Sequence, residues 1–187
     1  MASGPCNNQI FTALLRCALI ALAAAAFVSS SPAAQRTKTK APPDRAAFEK
    51  LKSLTGEWNG QFGEEGKKQE ATVLYKTISN GSVVMETLFP GTPHEMVTMF
   101  YLEDDQLVLI HYCAAGNQPK MALKKASADR LEFDYVGGSN VLAHRDTHMH
   151  ALRITFDGKD KLTNEWDYFK AGKKVEVTKF ILTRKSA

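Results

Sequence analysis

From Glu57 to Arg184 the chain alternates apolar and polar residues in short runs, separated by turn signals. A period of two sends successive side chains to opposite faces of a strand, so this pattern specifies half-buried β-strands rather than helices. Ten strands are predicted: Glu57–Phe62, Lys68–Ile78, Ser82–Phe89, Met96–Leu102, Gln106–Cys113, Lys120–Ala126, Arg130–Val136, Thr147–Phe156, Lys161–Phe169 and Lys174–Arg184. Asn80-Gly81 is the strongest hairpin signal between them. One segment has a helical pattern instead. Asp44 is placed to cap a helix over Arg45–Leu54, with Phe48, Leu51 and Leu54 on one face and Gly56 at its end. Ten strands with so little helix would leave open sheet edges unless the sheet closed. The expected fold is therefore all-β: a single ten-stranded antiparallel up-and-down barrel, with a short N-terminal helix plugging or flanking one end.

In such a barrel the connections sort by parity. The joins after even strands are tight (Ser79-Asn-Gly81, Glu103-Asp-Asp105, Ser127-Ala-Asp129, Asp157-Gly-Lys-Asp160), whereas those after the third, fifth and seventh strands are longer. Function concentrates on long loops held by a rigid scaffold, so the end carrying them is expected to be a mouth.

The N-terminal segment differs in kind. Residues 1–34 contain Arg16 and no acidic residue, then an apolar run from Cys17 to Val28 and small residues up to Ala34. This is the pattern of a secretory signal, too short for a comfortable membrane span. Residues 35–43 are polar and end in Pro42-Pro43, as a flexible linker would, leaving 44–187 as the barrel domain. The expectation is an exported protein, periplasmic or secreted, with no integral membrane span once the signal is cleaved. Without Arg16, 23 Lys and Arg face 20 Asp and Glu, a net charge of +3. The basic residues fall in pairs at turns (Lys67-Lys68, Lys124-Lys125, Lys173-Lys174) and are not interleaved with aromatics. That argues for solubility and against nucleic-acid binding. Cleavage would remove Cys6 and Cys17, so Cys113 alone remains and a disulfide framework is excluded.

All five histidines map to the mouth: His94, His111, His144, His148 and His150. His111/Cys113 and His148/His150 are spaced two apart and would each share a strand face. The face of His148 and His150 continues through Leu152, Ile154 and Phe156, which predicts that both histidines point inward. Imidazole and thiolate make His111, Cys113, His148 and His150 a candidate zinc or copper set. The fifth and eighth strands are three steps apart, roughly 14 Å along the wall, so these ligands could meet only across a flattened interior or through loops. The competing reading is a belt of neutral histidines bonded to one another or to loop backbone. A thiol enzyme with Cys113 as nucleophile and His111 as base is a further alternative. The fifth strand, however, is apolar on both faces, and a small buried cysteine is the simpler account.

Two polar residues interrupt apolar faces: Glu86 between Val84 and Leu88, and Asn164 among Leu162, Trp166 and Tyr168. If those faces are internal, Glu86 and Asn164 become polar handles in an apolar cavity; the alternative has Val83, Met85 and Phe89 inside and Glu86 in water. Asn117 and Gln118, beside Gly116 and Pro119 in the expected rim loop, are candidate ligand contacts, since a turn alone does not need two adjacent amides.

Gly56-Glu-Trp58, following a short helix and opening the first strand, resembles the Gly-x-Trp signature of the calycins, the lipocalin-like barrels. In lipocalins that Trp packs under an Arg near the last strand, which the resemblance assigns to Arg184. Gly56-Glu-Trp58-Asn-Gly60 also resembles the opening of the nitrobindin barrels, which have ten strands and bind haem. Their haem-ligating histidine lies late in the barrel, and no histidine follows His150 here, which ranks haem below zinc or copper as a cofactor. Met99-Phe-Tyr101 with His111-Tyr-Cys113 and Gly116-Asn-Gln-Pro119 is similar to a family of exported bacterial lipocalin-like proteins. The resulting expectation is a barrel that binds a small apolar molecule through a mouth carrying His111, Asn117, Gln118, His148 and His150. A metal- or thiol-dependent enzyme and an unliganded structural or interaction barrel are the alternatives.

Overall fold

The computed structural model describes residues 43–63 and 67–186. The expected signal segment lies outside these residues, as does all of the expected linker except Pro43. Pro43 opens helix α1 (Pro43–Lys52), where its fixed φ suits a first turn. Ten strands follow: β1 (Gly56–Phe62), β2 (Gln69–Ile78), β3 (Val83–Leu88), β4 (Met96–Glu103), β5 (Gln106–Tyr112), β6 (Gln118–Ala126), β7 (Arg130–Ser139), β8 (His148–Asp157), β9 (Lys161–Lys170) and β10 (Lys173–Arg184). Each pairs antiparallel with its sequence neighbours, and β1 pairs with β10, so the sheet closes into a barrel.

The closing seam has its own sequence requirement. Along it Trp58 faces Arg184, Gly60 faces Leu182 and Phe62 faces Phe180. At Gly60 the two backbones approach so closely that a Cβ would sit inside the Ile181 carbonyl. Beside it, the Arg184 guanidinium lies 4.3 Å over the Trp58 ring and donates to the carbonyls of Ser53 (2.8 Å) and Thr55 (2.9 Å). Trp58 Nε1 donates to the Leu54 carbonyl at 2.8 Å, so one residue pair ties the chain after α1 to both closing strands.

The tight even-numbered joins form the end that α1 covers. Phe48, Leu51 and Leu54 are buried in the barrel core, and Lys50 reaches the Ala128 carbonyl in the β6–β7 turn. Asp44 does not cap the helix as expected. It lies in the first helical turn, and its Oδ2 accepts the backbone N–H of Leu107 at 2.8 Å, pinning α1 to the start of β5. At the β2–β3 turn Asn80 (φ 53°) and Gly81 (φ 83°) are both left-handed, as the Asn-Gly signal requires.

The inner face is now assigned. Val84, Glu86 and Leu88 of β3, Leu107, Leu109 and His111 of β5, and Leu162, Asn164 and Trp166 of β9 are all buried. Two expected loops are strand instead. Gln118 and Pro119 open β6, and Gly137-Gly138 lie within β7, opposite Lys120 and Pro119.

Candidate functional site

The barrel interior is apolar at the helix end and becomes polar toward the mouth. Asn164 and Glu86 face each other across the interior, and Tyr75 of β2 joins them. The Tyr75 hydroxyl donates to Glu86 Oε1 (2.5 Å), and Asn164 Nδ2 donates to the Tyr75 oxygen (2.8 Å) and to Glu86 Oε1 (3.0 Å). All three are buried, so the network has no solvent to lean on. Burial raises the Glu86 carboxyl above its ordinary range, against the pull of the Tyr75 hydrogen bond and of the nearby Thr98 hydroxyl. Burial, with Glu86 beside it, pushes the Tyr75 hydroxyl well above its usual value.

Beside this network lie Thr98, paired across β3–β4 with Glu86, and His111, paired across β4–β5 with Thr98. The Thr98 hydroxyl and His111 Nδ1 are 3.0 Å apart. The His111 ring packs against Trp166, with centroids 4.7 Å apart. Burial drives the His111 imidazole down to about 4, so it is neutral at physiological pH. Two ring nitrogens in this layer, His111 Nε2 and Trp166 Nε1, are shut off from solvent and have no hydrogen-bond partner.

Directly above is a cavity of about 170 Å³. His111 and Trp166 line it together with Leu88, Met96, Met149, Thr178 and an aromatic cluster of Phe62, Phe89 and Phe180. Those three rings sit 4.8–5.8 Å apart. Phe89 just follows β3 with φ at 53°, a conformation a bulky side chain rarely adopts, and it is thereby held in the cavity lining. The volume is close to the roughly 150 Å³ of an engineered apolar cavity that admits benzene or xenon. It is below the roughly 300–1,000 Å³ of pockets for drug-sized ligands, and one histidine lines it, so a haem does not fit.

The expected set of mouth residues divides. His111 is in the cavity lining; Glu86 and Asn164 form the polar layer beneath it. His148 and His150 do not share the inner face, because β8 carries a bulge at His150: Met149 pairs with Tyr168 and Ala151 with Asp167. An extra residue there breaks the alternation, and Met149 takes the position in the cavity lining. The β7–β8 ladder also stops at Asp134 and Ala151. Beyond it, rings fill the seam. His150 stacks on Phe169 (3.9 Å) and Tyr135 (5.2 Å), and His148 Nε2 is 2.9 Å from His150 Nδ1. His148 Nδ1 lies 3.0 Å from the Asp146 carbonyl, so that nitrogen carries a proton and donates it.

The amides serve the loops. Asn117 Nδ2 donates to the Thr147 carbonyl (2.7 Å), tying the β5–β6 loop to the β7–β8 loop, and Gln118 Oε1 accepts from Asn140 (2.9 Å). Cys113 lies past the end of β5, and burial raises its thiol, which disfavours the thiolate a nucleophile needs. His111 and Cys113 are not brought together with His148 and His150. Among the described residues no group of three or more His, Cys, Asp or Glu is placed to hold a metal ion. His94 and His144 are exposed in their loops. Tyr75 and Thr98 were missed, although both continue the inner-face alternation, Tyr75 after Ala71 and Val73, and Thr98 before Phe100.

No protein-family model matches the chain, and no curated protein matches it. Among solved structures it is similar to the crystal structure of Rv2717c from M. tuberculosis, with a TM-score of 0.51 and 18% identity over 75% of this chain and 98% of that one. At that identity the likeness bears on the fold alone, and it agrees with a barrel.

Proposed function

We propose that this protein is an exported, calycin-like barrel that binds a small, largely apolar molecule in the cavity above His111 and Trp166. The observation that carries the reading is the cavity itself. An otherwise packed core, with Phe100, Phe133 and Leu152 fully buried, keeps about 170 Å³ free beneath a roof of Phe62, Phe89 and Phe180. Close packing is the rule in protein interiors, so an apolar space of this size left partly open at the mouth favours a role in binding. The calycin assignment is supported by the closed ten-stranded meander, the helix across one end and the stacking of Arg184 on Trp58. Export is supported by the apolar run and small residues before Ala34. Among the described residues no helix is long and apolar enough to cross a membrane.

Native mass spectrometry of the protein isolated from its own host is expected to show a bound small molecule. Addition of toluene to the stripped protein is expected to raise its Tm. Absence of any adduct together with an unchanged Tm would remove the reading.

A further inference from the structure

The cavity is not uniformly apolar, and its polar groups restrict what can fill it. His111 and Trp166 lie side by side in its lining, each about 1% exposed. Each keeps one ring nitrogen without a partner and beyond the reach of solvent. The two nitrogens are chemically complementary. Indole Nε1–H can only donate. His111 is neutral, and its Nδ1 is engaged by Thr98. Thr98 stands opposite Glu86 across β3–β4, and with its hydroxyl turned toward that carboxyl it accepts the proton on His111 Nδ1. That orientation leaves a bare lone pair on Nε2. The layer therefore offers one donor and one acceptor side by side, and leaving both unpaired in a buried site is costly.

We propose that the ligand is a small neutral alcohol or phenol whose hydroxyl accepts from Trp166 Nε1 and donates to His111 Nε2, while its hydrocarbon part fills the space among Leu88, Met96, Met149 and Phe180. This rests on the binding role proposed above and narrows it to one chemical class. A hydroxyl is the smallest group that both donates and accepts, and about 170 Å³ accommodates roughly one aromatic ring. Carboxylates are excluded by charge. The lining contains no Lys or Arg, and the polar layer beneath it already holds the Glu86 carboxyl, so a carboxylate would be buried without a counter-ion. Plain hydrocarbons fit by size but leave both nitrogens orphaned.

The test is calorimetric titration of the purified protein with phenol, toluene and benzoate, followed in parallel by the indole ¹H–¹⁵N resonance of Trp166. Phenol is expected to bind on the order of tenfold to a hundredfold more tightly than toluene, as two buried hydrogen bonds imply. It should move the Trp166 resonance downfield, and benzoate should not bind. In His111→Phe the preference for phenol over toluene should shrink. If toluene binds as well as phenol, or benzoate binds best, the hydroxyl assignment is overturned while the cavity remains a binding site. If none of the three binds, the binding role falls and the assignment with it. The comparison in the unsubstituted protein decides the matter even if His111→Phe fails to fold.

Discussion

At the scale of single residues, His111 carries the sharpest consequences. Its imidazole titrates at about 4 in the folded protein, against about 6.5 in an unfolded chain. Between those values the unfolded chain binds a proton that the folded protein refuses, so stability falls as the pH drops through that window, by about 3 kcal/mol in all. Glu86 acts in the opposite sense. Burial raises its carboxyl, the folded protein keeps a proton that the unfolded chain releases, and that contribution fades as the pH rises above its ordinary 4.5. Urea denaturation across this range should give a wild-type stability that declines on acidification, and His111→Phe should flatten the decline; an unchanged slope would mean that His111 is not buried and neutral. Glu86→Gln should cost less than about 1 kcal/mol, since an amide still accepts from Tyr75, whereas Glu86→Leu should cost about 1–3 kcal/mol by orphaning the Tyr75 hydroxyl. The sequence reached part of this layer. Glu86 and Asn164 stood out as polar breaks in apolar faces, but whether Glu86 pointed inward was undecided until Val84, Glu86 and Leu88 proved to be the buried set. Thr98 gave no such signal, because a threonine is ordinary on either face of a strand.

At the scale of elements, the strands were legible and their irregularities were not. A period of two located all ten to within a few residues, because side-chain alternation is a local property of the chain. The bulge at His150 is a property of pairing: β8 inserts one residue against β9, and only the partner reveals it. That single residue exchanged Met149 for the histidines in the cavity lining. Helix α1 shows the same division. Its apolar face was readable, but the role of Asp44 was not, because the Leu107 amide it accepts lies 63 positions away in the sequence. Asp44→Ala should therefore cost about 1.5–3 kcal/mol, the range for hydrogen bonds to charged groups. Hydrogen exchange at the Leu107 amide should accelerate with it; unaltered exchange there would show that the contact does not hold the helix. On β1, Gly60→Ala should destabilise the barrel by more than about 2 kcal/mol, because the new methyl must displace the β10 backbone at Ile181. Retention of full stability on guanidinium denaturation would contradict that account of the seam.

At the scale of the whole molecule, closure explains both what is rigid and what is open. β1 and β10 meet at Trp58 and Arg184, α1 blocks one end, and the tight turns gather there. At the other end the ladders thin out: β7 and β8 part company after Asp134, and aromatic and histidine rings fill the gap. The barrel could be foreseen from its turns and alternation. The cavity could not, since its volume depends on how Phe62, Phe89 and Phe180 pack across strands distant in sequence. Its methionines provide internal controls for the central claim that a small apolar molecule occupies this space. Met96 and Met149 line the cavity, whereas Met85 and Met99 do not. With methyl-labelled methionine, titration with toluene should shift the Met96 and Met149 resonances in a saturable manner and leave those of Met85 and Met99 in place. Four unmoved resonances, or four that drift together without saturation, would contradict the account.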